Sequence, residues 1–242
     1  MHTATATHKQ RVLNRILTTL KRDLPAAEPE TRPVLEQLLY AICREGAPRD
    51  RADKAFRALQ NTFYDWNEVR VSSPRELVEV LGPLPDAELR AFRMISLLQE
   101  IFETTFAFEL ESLHKKGLKQ AQKQLERYQG ANPFAVAYTL QMGLAGHALP
   151  IDADMHRTLR RLELVGDEPL TEPLSEASQG SLEHLVPKAR GPIFCELVSG
   201  LAQQFCHDKS PACTRCPMRE ACPTGQKHGQ TTGRATAKSR AR

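Results

Sequence analysis

The sequence predicts an all-α protein. Three observations carry this: periodic apolar segments repeat at helical spacing, the breaks between them fall on Gly, Pro and N-cap residues, and no convincing strand pattern is present. At 242 residues the chain can bury a sizeable core without cross-links. A body of about ten helices follows.

The elements are justified in order. Residues 9–21 place Val12, Ile16, Leu17 and Leu20 on one face of an amphipathic helix. Pro33 opens a strongly apolar helix, VLEQLLYAIC, which belongs in a core and stops near Gly46 and Pro48. A helix from about Asp50 carries Ala55, Phe56 and Leu59. Ser73-Pro74-Arg75-Glu76 is a capping box with proline at the first helical position, and ELVEVL then ends at Gly82. Asp86 is expected to cap the next helix, with Leu89, Phe92, Ile95, Leu98, Ile101 and Phe102 as its buried stripe. Further helices are expected over 118–128, from Asn132-Pro133 to about Gly143, over 153–164, over 175–187, and from 191 into a cysteine-rich loop.

No apolar run is long enough for a membrane span or a signal h-region, so the expectation is a cytoplasmic protein, nucleoid-associated if bacterial. Formal net charge is +4, but Lys227, Arg234, Lys238, Arg240 and Arg242 lie together near the C-terminus with no acid among them. Without those five the chain stands at −1. Residues 225–242 therefore read as a basic, disordered tail, either solubilising or attracted to phosphate.

Cys206, Cys213, Cys216 and Cys222 occupy CHDKSPACTRCPMREAC with the spacing C-x6-C-x2-C-x5-C. In a reducing compartment such clustering suggests metal or cluster ligands rather than disulfides. Only one close pair is present, whereas four-cysteine zinc sites usually show two, so the spacing suits a cuboidal iron–sulfur cluster and leaves zinc as the alternative. Cys43 and Cys195 sit inside apolar helical patterns and read as core residues.

This loop, behind a helical body, resembles the C-terminal end of endonuclease III and its adenine-glycosylase relatives, in the helix-hairpin-helix DNA glycosylase superfamily. The resemblance implies a [4Fe–4S] cluster on the four cysteines, with Lys209, Arg215 and Arg219 meeting the DNA backbone. It also implies two helical lobes with duplex DNA between them. One is a bundle over 28–146 ending in the hairpin, and the other is built from 1–27 and 147–224 and carries the cluster. The chain is expected to act as a monomer on damaged or mismatched DNA.

Family hairpins read roughly L-P-G-V-G-R-K-T-A, and the matching segment here is RYQGANPFAVAYTL. Gly130 matches the first glycine, followed by Ala131, and Asn132 takes the second, being the non-glycine residue most tolerant of a left-handed backbone. Asn132-Pro133 is also a good helix start, and turn amides there suit phosphate binding, although Pro133 has no N–H. ALPIDADMHRTLRRL resembles the family's V-D-T-H-x-x-R-V segment. The resemblance assigns Asp152 as the catalytic carboxylate and Arg157 as the family arginine at the DNA, while Asp154 replaces the histidine. Asp152 can also cap the following helix, and the two roles are compatible.

Other positions depart from the pattern. Phe134 stands where bifunctional members carry the Schiff-base lysine, and Lys119 and Lys123 precede the hairpin by a turn or more, so no efficient lyase activity is expected. Ile42 aligns with the adenine-branch glutamate, Glu36 and Glu45 fall off that position, and Gly46 is the nearest match to the base-displacing glutamine. Three functions follow: a monofunctional DNA N-glycosylase, a non-catalytic binder of DNA lesions or structures, and a structural zinc protein.

Overall fold

A computed structural model describes residues 5–24 and 30–227. Most of the basic tail, residues 228–242, lies outside the described residues. Among those described the secondary structure is helical, with no strand. No helix is long and apolar enough to cross a membrane. The chain divides into two units, Met1–Glu28 with Ile151–Arg242, and Pro29–Pro150.

The Pro29–Pro150 unit is built around α3 (Val34–Arg44). Leu35, Leu38, Leu39, Ile42 and Cys43 are 1% exposed or less, the all-round burial expected of a central helix. Its first amide is satisfied from a distance, by Glu111 Oε1 at 2.9 Å. Gly46, at φ +61°, closes its C-terminal end in the left-handed conformation that glycine adopts without steric cost. Around α3 pack α4 (Arg49–Thr62), α7 (Ala87–Thr105) and α9 (Pro133–Met142), while α6 (Pro74–Leu81) lies against α4 and α7. The Ser73–Glu76 capping box is present on α6. Aromatic rings run through this core from Phe134 to Tyr138, Tyr40, Phe56 and Trp66, with successive centroids 5.5–6.0 Å apart.

Two expectations for α7 are corrected. Asp86 occupies the N-cap position with a left-handed backbone, φ 52°, and its side chain makes no capping bond. Leu89 and Phe92 are 56% and 62% exposed, and the buried face is Arg90, Ala91, Met94, Leu97, Leu98 and Ile101. Arg90 turns inward because its guanidinium donates to the carbonyls of Ile42, Glu45 and Pro85, closing the end of α3. A short helix, α5 (Trp66–Val71), capped by Asp65, has no counterpart in the sequence reading.

In the other unit, α1 (Ala6–Arg15) passes through a π-helical stretch, Ile16–Leu20, into α2 (Lys21–Asp23). The wider turn buries Val12, Leu13, Ile16 and Leu20 and leaves Leu17 half-buried. The remaining helices are α10 (Ala153–Arg161), α11 (Glu176–Leu185) and α12 (Gly191–Gln204), with α12 packed on α10 and on the π-helical stretch.

Candidate nucleic-acid interface

The hairpin joins α8 (Leu118–Leu125) to α9. Gly130 is buried, and a Cβ there would stand 2.2 Å from the Arg93 carbonyl oxygen and 2.8 Å from Leu97 Cβ. Close approach to α7, rather than an unusual φ, is what requires glycine. Arg93 then holds the turn by donating from Nε to the Gly130 carbonyl at 2.9 Å. Its Nη1 pairs with Glu45 Oε2 at 2.6 Å. Asn132 Nδ2 donates to the other Glu45 oxygen, Oε1, at 2.7 Å. Asn132 Oδ1 accepts the Ala135 amide at 3.0 Å.

Asn132 is thus a true N-cap of α9, at φ −85° and ψ 172°. The expected left-handed backbone is corrected, because an N-cap takes the extended region to turn its side chain onto the helix amides. Ala131 spends its amide on the Tyr128 carbonyl, and Pro133 has none. The first amides of a helix have no partner within it, and with that of Ala135 taken by Asn132 Oδ1 those of Asn132 and Phe134 are the ones an anion at this helix start would meet.

The positions matched to missing family parts have internal tasks. Phe134 is 6% exposed and stacks on Tyr138. Ile42 is fully buried, and Gly46 caps α3. Glu45 has both oxygens engaged in the clamp. Glu36 sits near the opposite end of α3, about 13 Å of helical rise from Glu45. It lines a pocket of about 220 Å³ with Phe63, Tyr64 and Trp66, and burial raises its pKa. The Arg93–Glu45–Asn132 clamp went unseen in the sequence, since its three members are distant in the chain and each residue type is common.

In the other unit Asp152 is the N-cap of α10, and its Oδ1 accepts the Met155 amide at 2.8 Å. Its side chain is buried, with the residue 6% exposed. Arg157 is also buried, pairing with Asp154 at 2.5 Å and donating from Nε to the Cys206 carbonyl at 3.1 Å. Arg161, one turn on, donates to the carbonyls of Cys206, His207 and Asp208, and its Nη1 lies 3.4 Å from Cys206 Sγ. The Cys222 thiol donates to the Arg161 carbonyl. Helix α10 therefore carries the acid at its first turn and grips the cysteine loop with its last two.

Within the loop, short 3₁₀ turns at Cys213–Arg215 and Arg219–Ala221 surround the buried Met218. Burial pushes the Cys216 thiol up to about 11. It raises Cys213 and Cys222 as well. Neighbouring loop thiols add to all three shifts, which puts the four cysteines within electrostatic reach of one another. Among the described residues, no three His, Cys, Asp or Glu side chains are gathered so as to hold a single metal ion. A donor set of thiols alone fits an iron–sulfur cluster or a soft metal. Lys209, Arg215 and Arg219 are exposed, and the acid between them and the tail, Glu220, is drawn off to Arg15 at 2.7 Å.

No model of a known protein family matches the chain. It is similar to DEMETER-like protein 3 of Arabidopsis thaliana, 22% identical over 171 residues, covering 65% of this chain and 16% of that protein. The chain thus spans about a sixth of that relative's length. Among solved structures, endonuclease III in a non-covalent DNA complex superposes with a TM-score of 0.69 at 16% identity, over 92% of this chain and 98% of the other. A thermostable thymine-DNA glycosylase gives 0.65 at 15% identity, over 91% and 98%. The H. pylori 3-methyladenine DNA glycosylase MagIII, bound to 1,N6-ethenoadenine, gives 0.61 at 16%, over 81% and 97%.

The fold is that of endonuclease III and the other DNA glycosylases on which the chain superposes. At about one residue in six identical, that likeness is one of architecture rather than of sequence.

Proposed function

We propose that this chain is a base excision repair protein that binds damaged or mismatched duplex DNA and acts as a monofunctional DNA N-glycosylase. The observation supporting this most is the presence of Asp152 on the first turn of α10, in a chain with the endonuclease III fold. A carboxylate there would stabilise the positive charge that grows on the sugar as the base leaves, or orient the attacking water. Phe134 offers no amine for a Schiff base, and the proposed activity therefore does not include strand cleavage from that position.

The hairpin would supply backbone amides, at Asn132 and Phe134, to one phosphate, with Gly130 and Ala131 setting the turn. Lys209, Arg215 and Arg219 would supply charge to others. Cys206, Cys213, Cys216 and Cys222 would hold a [4Fe–4S] cluster, whose contribution is to cross-link the loop. Zinc on the same four thiols is the alternative occupant. Arg157 would position that loop through Cys206 rather than touch DNA itself.

One observation favours a non-catalytic lesion binder as the second reading. Both oxygens of Glu45, an acid bonded to the hairpin, are committed to Arg93 and Asn132, so this carboxyl is not free to protonate a leaving base. Incubation with a panel of lesion-bearing duplexes, followed by alkali, separates the two. Alkali-labile product that vanishes in Asp152→Asn establishes the glycosylase, and salt-sensitive binding without product across the panel establishes the binder.

A further inference from the structure

Helix α8 carries Lys119 and Lys123, and Arg127 follows two residues beyond its end. At 3.6 residues per turn Lys119 and Lys123 fall within about 40° of one another, about 6 Å apart in rise, and Arg127 follows in the exit turn of the same helix. All three are exposed, and none makes an ion pair among the described residues. The neighbouring acid, Glu126, bonds Gln122 at 2.8 Å. Lys116, just before α8, bonds Gln124.

An exposed helix that merely needs solvation usually mixes its charges, as α4 does with Arg49, Asp50, Arg51, Asp53 and Lys54 and an Arg49–Asp53 pair at 3.8 Å. On α8 and its exit turn the one acid among these cations, Glu126, is bonded by Gln122, and three cations to one acid form a predominantly positive surface. The stripe also runs straight into the hairpin: Arg127 donates its amide to Gln124, Ala131 donates to Tyr128, and Gly130 lies between.

We infer that Lys119, Lys123 and Arg127 form a phosphate track along α8 that extends the DNA interface beyond the hairpin. The proposal rests on the DNA-binding reading above and specifies a path for one strand. A strand carries a phosphate about every 3.4 Å of duplex axis, and each of the three cations would take one of them. It reads no sequence, because Lys and Arg on phosphate position a duplex without touching base edges.

The test is fluorescence anisotropy of the purified full chain with a short, undamaged, labelled duplex across a salt series. The variant Lys119→Gln/Lys123→Gln/Arg127→Gln is compared with the wild type and with Lys119→Arg/Lys123→Arg/Arg127→Lys. Each lost phosphate contact lowers the slope of log affinity against log salt by about 0.9, so the neutral variant should lose about 2.7. Between about 50 and 200 mM salt its affinity should then fall about 40-fold less than that of the wild type. The charge-retaining variant should keep the wild-type slope.

A neutral variant that binds with the wild-type slope overturns the track and leaves the DNA-binding reading intact. A wild type that shows no salt-dependent binding overturns both. Circular dichroism of the neutral variant must superpose on that of the wild type; since all three positions are exposed, a lost helical signal would contradict the free surface on which the track depends.

Discussion

Glu45, just past the end of α3, accepts a 2.7 Å hydrogen bond from Asn132, the residue that starts the second helix of the hairpin 87 positions later. Arg93 completes the arrangement by bonding both Glu45 and the Gly130 carbonyl. One carboxylate thus ties the core helix to both sides of the turn. Glu45→Ala would leave two half-buried donors without their acceptor, a loss of about 2 kcal/mol. Urea denaturation should show this loss, and Glu45→Gln, which can still accept one of the bonds, should recover part of it.

That relationship also marks the limit of what the sequence discloses. The caps at Ser73, Asn132 and Asp152 are legible because an N-cap is decided within four residues. The cysteine spacing is legible for the same reason. The first turns of α7 are not, because Leu89 and Phe92 continue the stripe of Leu98 and Ile101 by spacing alone yet are exposed. What rotates the helix is Arg90, whose partners lie on α3 and in the preceding turn. Polar burial paid for by distant carbonyls leaves no local pattern. The same holds for Phe134: alignment marks a missing lysine, and only the packed structure makes the ring part of an aromatic row.

Restoring the lysine should therefore fail. Phe134→Lys removes a ring that stacks on Tyr138 and places an ammonium at a position only 6% exposed. The expected cost is about 3 kcal/mol. Thermal denaturation should show the loss, and borohydride treatment with an abasic duplex should trap no covalent complex. Efficient trapping in a stable variant would contradict the buried placement.

His156 on α10 predicts a pH dependence. It is 2% exposed with Nε2 buried and unpartnered among the described residues, and burial lowers its pKa. The unfolded histidine titrates near about 6.5. Below that pH the unfolded state binds a proton that the folded state refuses, so stability falls as pH drops, by up to about 1.4 kcal/mol per unit until the folded-state pKa is reached. Above about pH 7 the contribution is flat. Denaturation of wild type and His156→Gln between pH 7.5 and 5, a window set by about one unit either side of the free imidazole, should give curves that diverge only on the acid side.

Asp152 allows its two roles to be pulled apart. As N-cap it accepts the Met155 amide, a bond asparagine can make equally well and alanine cannot. As catalytic carboxylate it would need its charge, which neither substitute has. Asp152→Asn should therefore keep wild-type stability and Asp152→Ala should lose about 1 kcal/mol. If the carboxylate acts on the sugar, both should lose base release alike, at least about 100-fold in single-turnover assays on a duplex the wild type processes. If Asp152 is only a cap, loss of activity should track loss of stability, and the asparagine variant should remain active. Because α10 also holds the cysteine loop through Arg157 and Arg161, a frayed first turn in the alanine variant could loosen that grip too. Faster limited proteolysis between residues 207 and 215 in Asp152→Ala, but not in Asp152→Asn, would assign that effect to the cap and leave the shared loss of base release to the charge.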